Sequence, residues 1–244
     1  MDGRNGKCIL MCAGAFVPME IDVEEADTVI AVDAGLRYLE MLGIRPDYLI
    51  GDFDSMQETQ FRTVMEFMEY SPERVIRLPV EKDDTDTIYA LKFGMELGYR
   101  RFFLYGAMGA RLDHTVANLQ TLLYAKQHGA DCYLLDERCM AFVIAEETKR
   151  FAKRLTGMFS LFAISDRCDD VTITGMHYNL EHGTLTNAFP LGVSNEFDPG
   201  AEDGTGHGAA VTIGRGTALA IVTYEVEPKT RPGEKQETER GQLC

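Results

Sequence analysis

The chain has 244 residues, 45% of them hydrophobic and 26% charged, with a formal net charge of −15. That length suffices for one large core or two modest ones, and the acidic balance, with no basic stripe, excludes a nucleic-acid surface. No apolar run is long enough to span a bilayer, and the N-terminal stretch lacks the basic, apolar and cleavage-site succession of a signal peptide, so the cytosol is the expected compartment.

In chain order, "KCILMCAG", "DTVIAVDAG", "DYLIGDFDS", "RVIRLPV", "RRFFLYGAM" and "DCYLLD" read as strands. Between them, Leu36 to Leu42, Met56 to Met68, Thr85 to Leu97 and Thr115 to Gln127 carry apolar residues at helical spacing. The strands lack polar alternation, as expected when helices cover both faces. This predicts an α/β domain over 1–145, with a mainly parallel sheet and flanking helices. After Ala145 the texture changes to Gly, Thr and Ser punctuation between short β-rich runs, which predicts a smaller all-β sandwich domain over 146–228. The polar segment 229–244 reads as a disordered tail.

Six cysteines, Cys8, Cys12, Cys132, Cys139, Cys168 and Cys244, form no CxxC pair, so neither a zinc site nor a disulfide framework is favoured, and most are expected to be buried thiols. His128, His177, His182 and His207 are scattered and define no triad.

In an open parallel sheet, ligands bind beyond the carboxyl ends of the strands, where helix N-termini also point unpaired N–H groups. The chain places its carboxylates there. "AVDAG" brings Asp33, "IGDFDS" brings Asp52 and Asp54, "VEKDDTD" brings Lys82, Asp83, Asp84, Thr85 and Asp86, and "YGAMGARLDH" brings Arg111, Asp113 and His114. Taken singly, each acid has a structural explanation: Ser55 with Glu58 as a capping box, Asp83 with Asp86 as a cap, Asp113 as the cap of a helix from Thr115. Taken together, acids at one edge repel one another unless a cation joins them, and magnesium, which keeps water and substrate phosphates as ligands, is the natural complement. Lys82 and Arg111 supply fixed positive charge for a phosphate chain. "FGMELGYR" is no phosphate loop, and Gly98 reads as a helix C-cap. "GVSNEF", Gly192 to Phe197, reads either as a β-turn or as a substrate contact, and "EDGTGHG" as a hairpin connection.

With "VDAGLRYLEMLGIRPDYLIGDFDS", "KDDTDTIYAL", "GAMGARLDHTVANL" and "VSNEF" in this order, the chain resembles the thiamine pyrophosphokinase family. The resemblance implies an α/β catalytic domain followed by a β-sandwich, a homodimer with active sites formed between subunits, dependence on magnesium, and pyrophosphate transfer from ATP to thiamine. It also implies roles. Asp52, Asp54 and Asp86 would be the metal-binding acids, with Asp54, Asp86, Arg111 and Asp113 in catalysis. Asp33, Thr85, Arg111 and Asp113 would line the nucleotide and phosphate cleft, with Lys82 and Asp83 also binding there, and Ser194 and Asn195 would approach thiamine. Asp83 and Asp113 both stand as acceptors of the thiamine hydroxyl proton. Ala34 and Ala110 occupy positions where the family commonly has glycine, each adding a methyl group near the phosphate path; the expectation is tolerance. Two other readings stand beside this one: a different magnesium-dependent pyrophosphokinase or nucleotide hydrolase on the same scaffold, and a non-catalytic thiamine- or metal-binding protein.

Overall fold

The structure, a computed structural model, describes residues 4–53, 58–79, 81, 83–153, 155–201 and 208–224. Asp54, Ser55, Lys82, His207, Cys244, the stretch 202–207 and the tail 229–244 lie outside the described residues.

The first half builds six parallel strands: β1 (Cys8–Met11), β2 (Thr28–Val32), β3 (Tyr48–Gly51), β4 (Val75–Arg77), β5 (Arg101–Tyr105) and β6 (Asp131–Leu135). Their side chains alternate between two cores because successive residues of a strand face opposite sides. Cys8, Leu10 and Cys12 enter one core with Ala90, Leu91 and Leu122, while Ile9 and Met11 enter the other with Leu36, Leu39, Val64 and Phe67. Helices α1 (Leu36–Leu42) and α2 (Glu58–Tyr70) therefore cover one face, and α3 (Asp86–Glu96) and α4 (Leu112–Gln127) the other. Between β1 and β2 no helix forms, and Phe16, Met19 and Ile21 cover that face instead.

The expected separation into a parallel sheet and an independent sandwich holds only in part. One mixed ten-stranded sheet runs through both halves in the order β12-β9-β14-β7-β6-β5-β1-β2-β3-β4. Its added strands are β7 (Cys139–Ala145), β9 (Met158–Ala163), β12 (Gly192–Glu196) and β14 (Thr217–Thr223), all antiparallel to their neighbours. The cause is local. Asp136 Oδ1 accepts from the backbone N–H groups of Arg138 and Cys139, both at 2.7 Å, closing a tight turn directly after β6. A turn that short leaves no room for a crossover helix, so the next strand must return antiparallel. A second sheet, β11 (Leu180–Thr186), β10 (Arg167–Thr174), β13 (Ala210–Arg215) and β8 (Thr148–Arg150), is wholly antiparallel. Phe142, Phe151, Phe159 and Phe197 belong to the core of this half, with edge-to-face ring pairs at 5.2–5.7 Å.

Several helix ends differ from expectation. Thr85, not Asp83, caps α3: its side chain accepts from Ile88 N at 3.3 Å. Helix α4 starts at Leu112, three residues early, so Asp113 lies in its first turn instead of capping it, and Arg111 holds the N-cap position without a side-chain cap bond. Leu97 is the C-cap of α3, with Gly98 just beyond it at φ +96°. "GVSNEF" is no simple turn, because Gly192–Glu196 forms edge strand β12, whose register shifts between Gly192 and Asn195 while Ser194 takes φ +60°. The free cysteines are as expected: Cys8, Cys12, Cys132 and Cys168 are buried, and burial pushes the Cys12 thiol up to about 12.

Candidate functional site

A cavity of about 330 Å³ opens at the carboxyl edge of the parallel strands, lined by Asp33, Thr85, Asp86, Arg111, His114 and Asn118 together with the turns at Cys12–Gly14 and Gly106–Ala110.

Asp33 follows β2 directly, in a short 3-10 turn over Asp33–Gly35, with φ +49°. Its Oδ1 accepts from Asp52 N at 3.2 Å. A Cβ on Gly51 would run into that same oxygen, so the bare end of β3 is what admits the carboxyl group. Gly35 is required for a similar reason, since its Cβ would strike the carbonyl of Met11. Asp86, the first residue of α3, meets Asp33 carboxyl to carboxyl. Burial, then the hydrogen bond and charge of Asp86 and the charge of Asp52, push Asp33 up to about 7.

These acids thus converge from three separate loops. Among the described residues no group of three or more His, Cys, Asp or Glu is placed so that it could by itself hold a metal ion. The donor set nevertheless fits a hard divalent cation, because two half-buried carboxyl groups pressed together ask for a positive partner. Asp54, two residues past Asp52, lies outside the described residues, as does Lys82.

Arg111 stands at the N-terminus of α4 and lines the cavity. Its guanidinium grips Asp113 with both teeth of the fork, Nε to Oδ1 at 3.1 Å and NH2 to Oδ2 at 2.6 Å. That hydrogen bond, followed by the backbone N–H of His114 and the charge of Arg111, holds Asp113 down to about 2. Asp113 itself is exposed and outside the lining, so here it orients Arg111. Asp83 is exposed and also outside the lining, while Asp84 is bound by Lys92 Nζ at 2.8–2.9 Å, tying the loop before Thr85 to α3.

Ser194 and Asn195 are not brought to this cavity. They lie on β12, with six strands between them and β2 in the sheet order. Asn195 is 7% exposed, and its amide pairs with the backbone of Tyr178, accepting from N at 2.9 Å and donating to O at 2.7 Å, while Oδ1 also accepts from Glu196 N. It therefore builds its strand edge and leaves Ser194 exposed at the bulge. Beside it a second cavity, of about 380 Å³, is lined by Phe159, Ile173, Tyr178, Leu185, Leu191 and Val193.

The site also uses residues that received no role from the sequence. Gly51 makes room for Asp33, and Asn118 and His114 join Arg111 on one face of α4, a spacing of i, i+3 and i+7 that the motif "RLDHTVAN" already carried.

Comparison with known proteins gives a consistent set of likenesses. The family model described as thiamin pyrophosphokinase, catalytic domain, matches residues 21–134, and the one described as thiamin pyrophosphokinase, vitamin B1 binding domain, matches residues 147–205. Thiamine pyrophosphokinase of Bacillus subtilis (strain 168) is 29% identical over 175 residues, covering 68% of this chain and 77% of that protein. The fold is similar to the crystal structure of thiamine pyrophosphokinase from Bacillus subtilis, with a TM-score of 0.77 at 24% identity over 91% of this chain and 100% of that one. It is also similar to thiamin pyrophosphokinase from Candida albicans, with a TM-score of 0.71 at 14% identity over 89% of this chain and 90% of that one.

Proposed function

The chain belongs to the thiamin pyrophosphokinase family, and from that premise we propose that its cleft transfers the pyrophosphoryl group of ATP to the hydroxyl of thiamine, giving thiamine diphosphate and AMP. The observation that carries this reading is the convergence of Asp33, Asp86, Thr85 and Arg111 on one cavity at the carboxyl edge of the parallel strands.

The thiamine hydroxyl oxygen forms a bond to the β-phosphorus while the bond from that phosphorus to the oxygen bridging the α-phosphorus breaks, and AMP departs with the electron pair. Arg111, preset by Asp113, binds phosphate oxygens as a planar fork and offsets the charge that shifts between them. The N-terminus of α3, capped by Thr85, turns its backbone N–H groups toward the same anion. Asp52, Asp54 and Asp86 would hold magnesium, with Asp33 behind them; when bound, the ion supplies positive charge to the phosphate oxygens. Asp113, held down by its bond to Arg111, is a poor acceptor for the hydroxyl proton. The field of a chain carrying −15 favours the approach of the cationic thiazolium.

Thiamine would meet Ser194 and Asn195 of a second copy. The ten-stranded sheet holds β12 and β2 seven strand spacings apart, roughly 34 Å at the usual spacing between strands, too far for one substrate to bridge within a single chain. A twofold pair, with residues 146–228 of one subunit facing residues 1–145 of the other, closes both sites at once. Among the described residues no helix is long and apolar enough to cross a membrane, and we place the activity in the cytoplasm.

The test is incubation of the purified protein with ATP, magnesium and thiamine, with chromatographic detection of AMP and thiamine diphosphate. Formation of both, lost in Asp86→Asn and Asp54→Asn, is the expected result. AMP formed with a pterin alcohol and not with thiamine, or no turnover with any acceptor, would overturn the assignment.

A further inference from the structure

Asn118 has no part in the chemistry described so far, yet it is one of the few buried polar residues among those described, at 7% exposure, and it lines the cavity. A buried amide needs partners of its own. Asn118 Nδ2 donates to the carbonyl of Ala107 at 2.7 Å.

Ala107 belongs to the turn between β5 and α4, in which Gly106, Gly109 and Ala110 take φ of +60°, +71° and +56°. Such a turn cannot make a regular ladder, and the left-handed alanine alone costs about 1–2 kcal/mol. Bonds from outside must therefore hold its shape. Two come from the loop after β1, where Gly14 N donates to Gly106 O at 2.7 Å and Ala15 N to Met108 O at 2.9 Å. These backbone bonds fix one side of the turn. The side toward α4 is held by Asn118, seven residues after Arg111 on the same helix face. Within the turn, Arg111 N donates to Gly109 O at 2.7 Å, so the conformation of the turn sets where the Arg111 side chain leaves the main chain.

We infer that Asn118 is a positioning residue for nucleotide binding: by fixing Ala107, it holds the turn that lines the cleft and so aims the Arg111 guanidinium at the phosphate chain of ATP. This rests on the assignment of the cavity as the nucleotide cleft. A residue serving only the fold would change stability and leave the nucleotide affinity of the folded protein alone.

The test is Asn118→Asp, which keeps the side-chain volume and places a carboxylate oxygen against the Ala107 carbonyl in place of the donor. Binding of α,β-methylene-ATP with magnesium is measured by calorimetry at a temperature where circular dichroism shows the variant folded. An affinity lower by about tenfold or more is expected, because in the free variant the turn relaxes to satisfy the Ala107 carbonyl and nucleotide binding must draw it back at a cost of that order, with the KM for ATP raised likewise and the KM for thiamine within about twofold. Hydrogen exchange of the 106–111 amides, without nucleotide, is expected to quicken. Should N118D not fold, Asn118→Ser is taken through the same assays, its hydroxyl being too short to reach Ala107. Wild-type protein that binds the analogue while the variant binds it equally well, or unchanged exchange at 106–111, would overturn the role of Asn118 alone. Wild-type protein that neither binds the analogue nor forms AMP would overturn the nucleotide cleft along with it.

Discussion

The carboxyl group of Asp33 occupies the space that a side chain on residue 51 would fill, so Gly51 and Asp33 form one fitted unit across the ends of β3 and β2. Gly51→Ala is expected to displace Asp33 and the Asp52 N–H that it binds, lowering turnover by about a hundredfold or more, since misplacement on the order of 1 Å at a site has that effect. Overpacking of this kind also costs about 1–3 kcal/mol. Turnover and the thermal midpoint of the variant, measured side by side, check both effects; a variant with wild-type turnover would show that Asp33 is free to move.

Thr85 joins a cap to the cleft. Thr85→Ala removes the acceptor for Ile88 N and should cost about 1 kcal/mol, whereas Thr85→Ser should restore most of it. Chemical denaturation of the two variants gives the comparison, and equal losses in both would mean that the cap contributes nothing.

Ala110 holds φ +56° where glycine would be unstrained. Ala110→Gly should relieve about 1–2 kcal/mol of left-handed strain and give back about 0.4–1 kcal/mol through the looser unfolded chain. The expected net is a small gain in stability, with activity kept; a clear drop in the denaturation midpoint would refute it.

Asp27 and Lys7 give a pH signature far from the cleft. Asp27, its side chain 1% exposed, accepts from Lys7 N and Glu24 N and pairs with Lys7 Nζ at 2.8 Å. Burial alone would raise its pKa, but the bonds from Lys7 and Glu24 prevail and lower it below the ordinary value. A folded pKa below the unfolded one stabilises the protein above the unfolded value, about 4, and that stability is lost as pH falls through the folded pKa. Lys7 is shifted up against its burial by Asp27, so its share persists through neutral pH and is lost in strong alkali. Asp27→Asn should therefore cost about 2 kcal/mol at pH 7, the scale of a hydrogen bond to a charged group, and the difference from wild type should shrink below pH 4. Urea denaturation from pH 3 to 8 reads it, and a constant difference across that range would exclude the ion pair as its source.

Much of this molecule could be read from its residues. Helix α1 runs over Leu36–Leu42 as its spacing predicted, and the strands before and after it fall inside their apolar runs. The acids of "VDAG" and "DDTD" do come together, because both loops leave the same edge of a parallel sheet. The joining of the two halves was hidden. A change in texture after Ala145 looks like a domain boundary, but hydrogen bonding between β7 and β14, which pairs Cys139 with Thr223 and Ala145 with Thr217, depends on partners that no local pattern names. Strand β12 was obscured by its bulge, since Ser and Asn favour turns and here serve a kinked edge. Asn118 passed as an ordinary helical residue, although its distance from Arg111 placed both on one face.

The unbroken sheet has a mechanical consequence. A stack of ten hydrogen-bonded strands with no linker between its halves behaves as a girder, and it cannot fold about a waist the way two lobes on a flexible joint do. Substrate capture in this enzyme then falls to small shifts of the turns at the girder's rim.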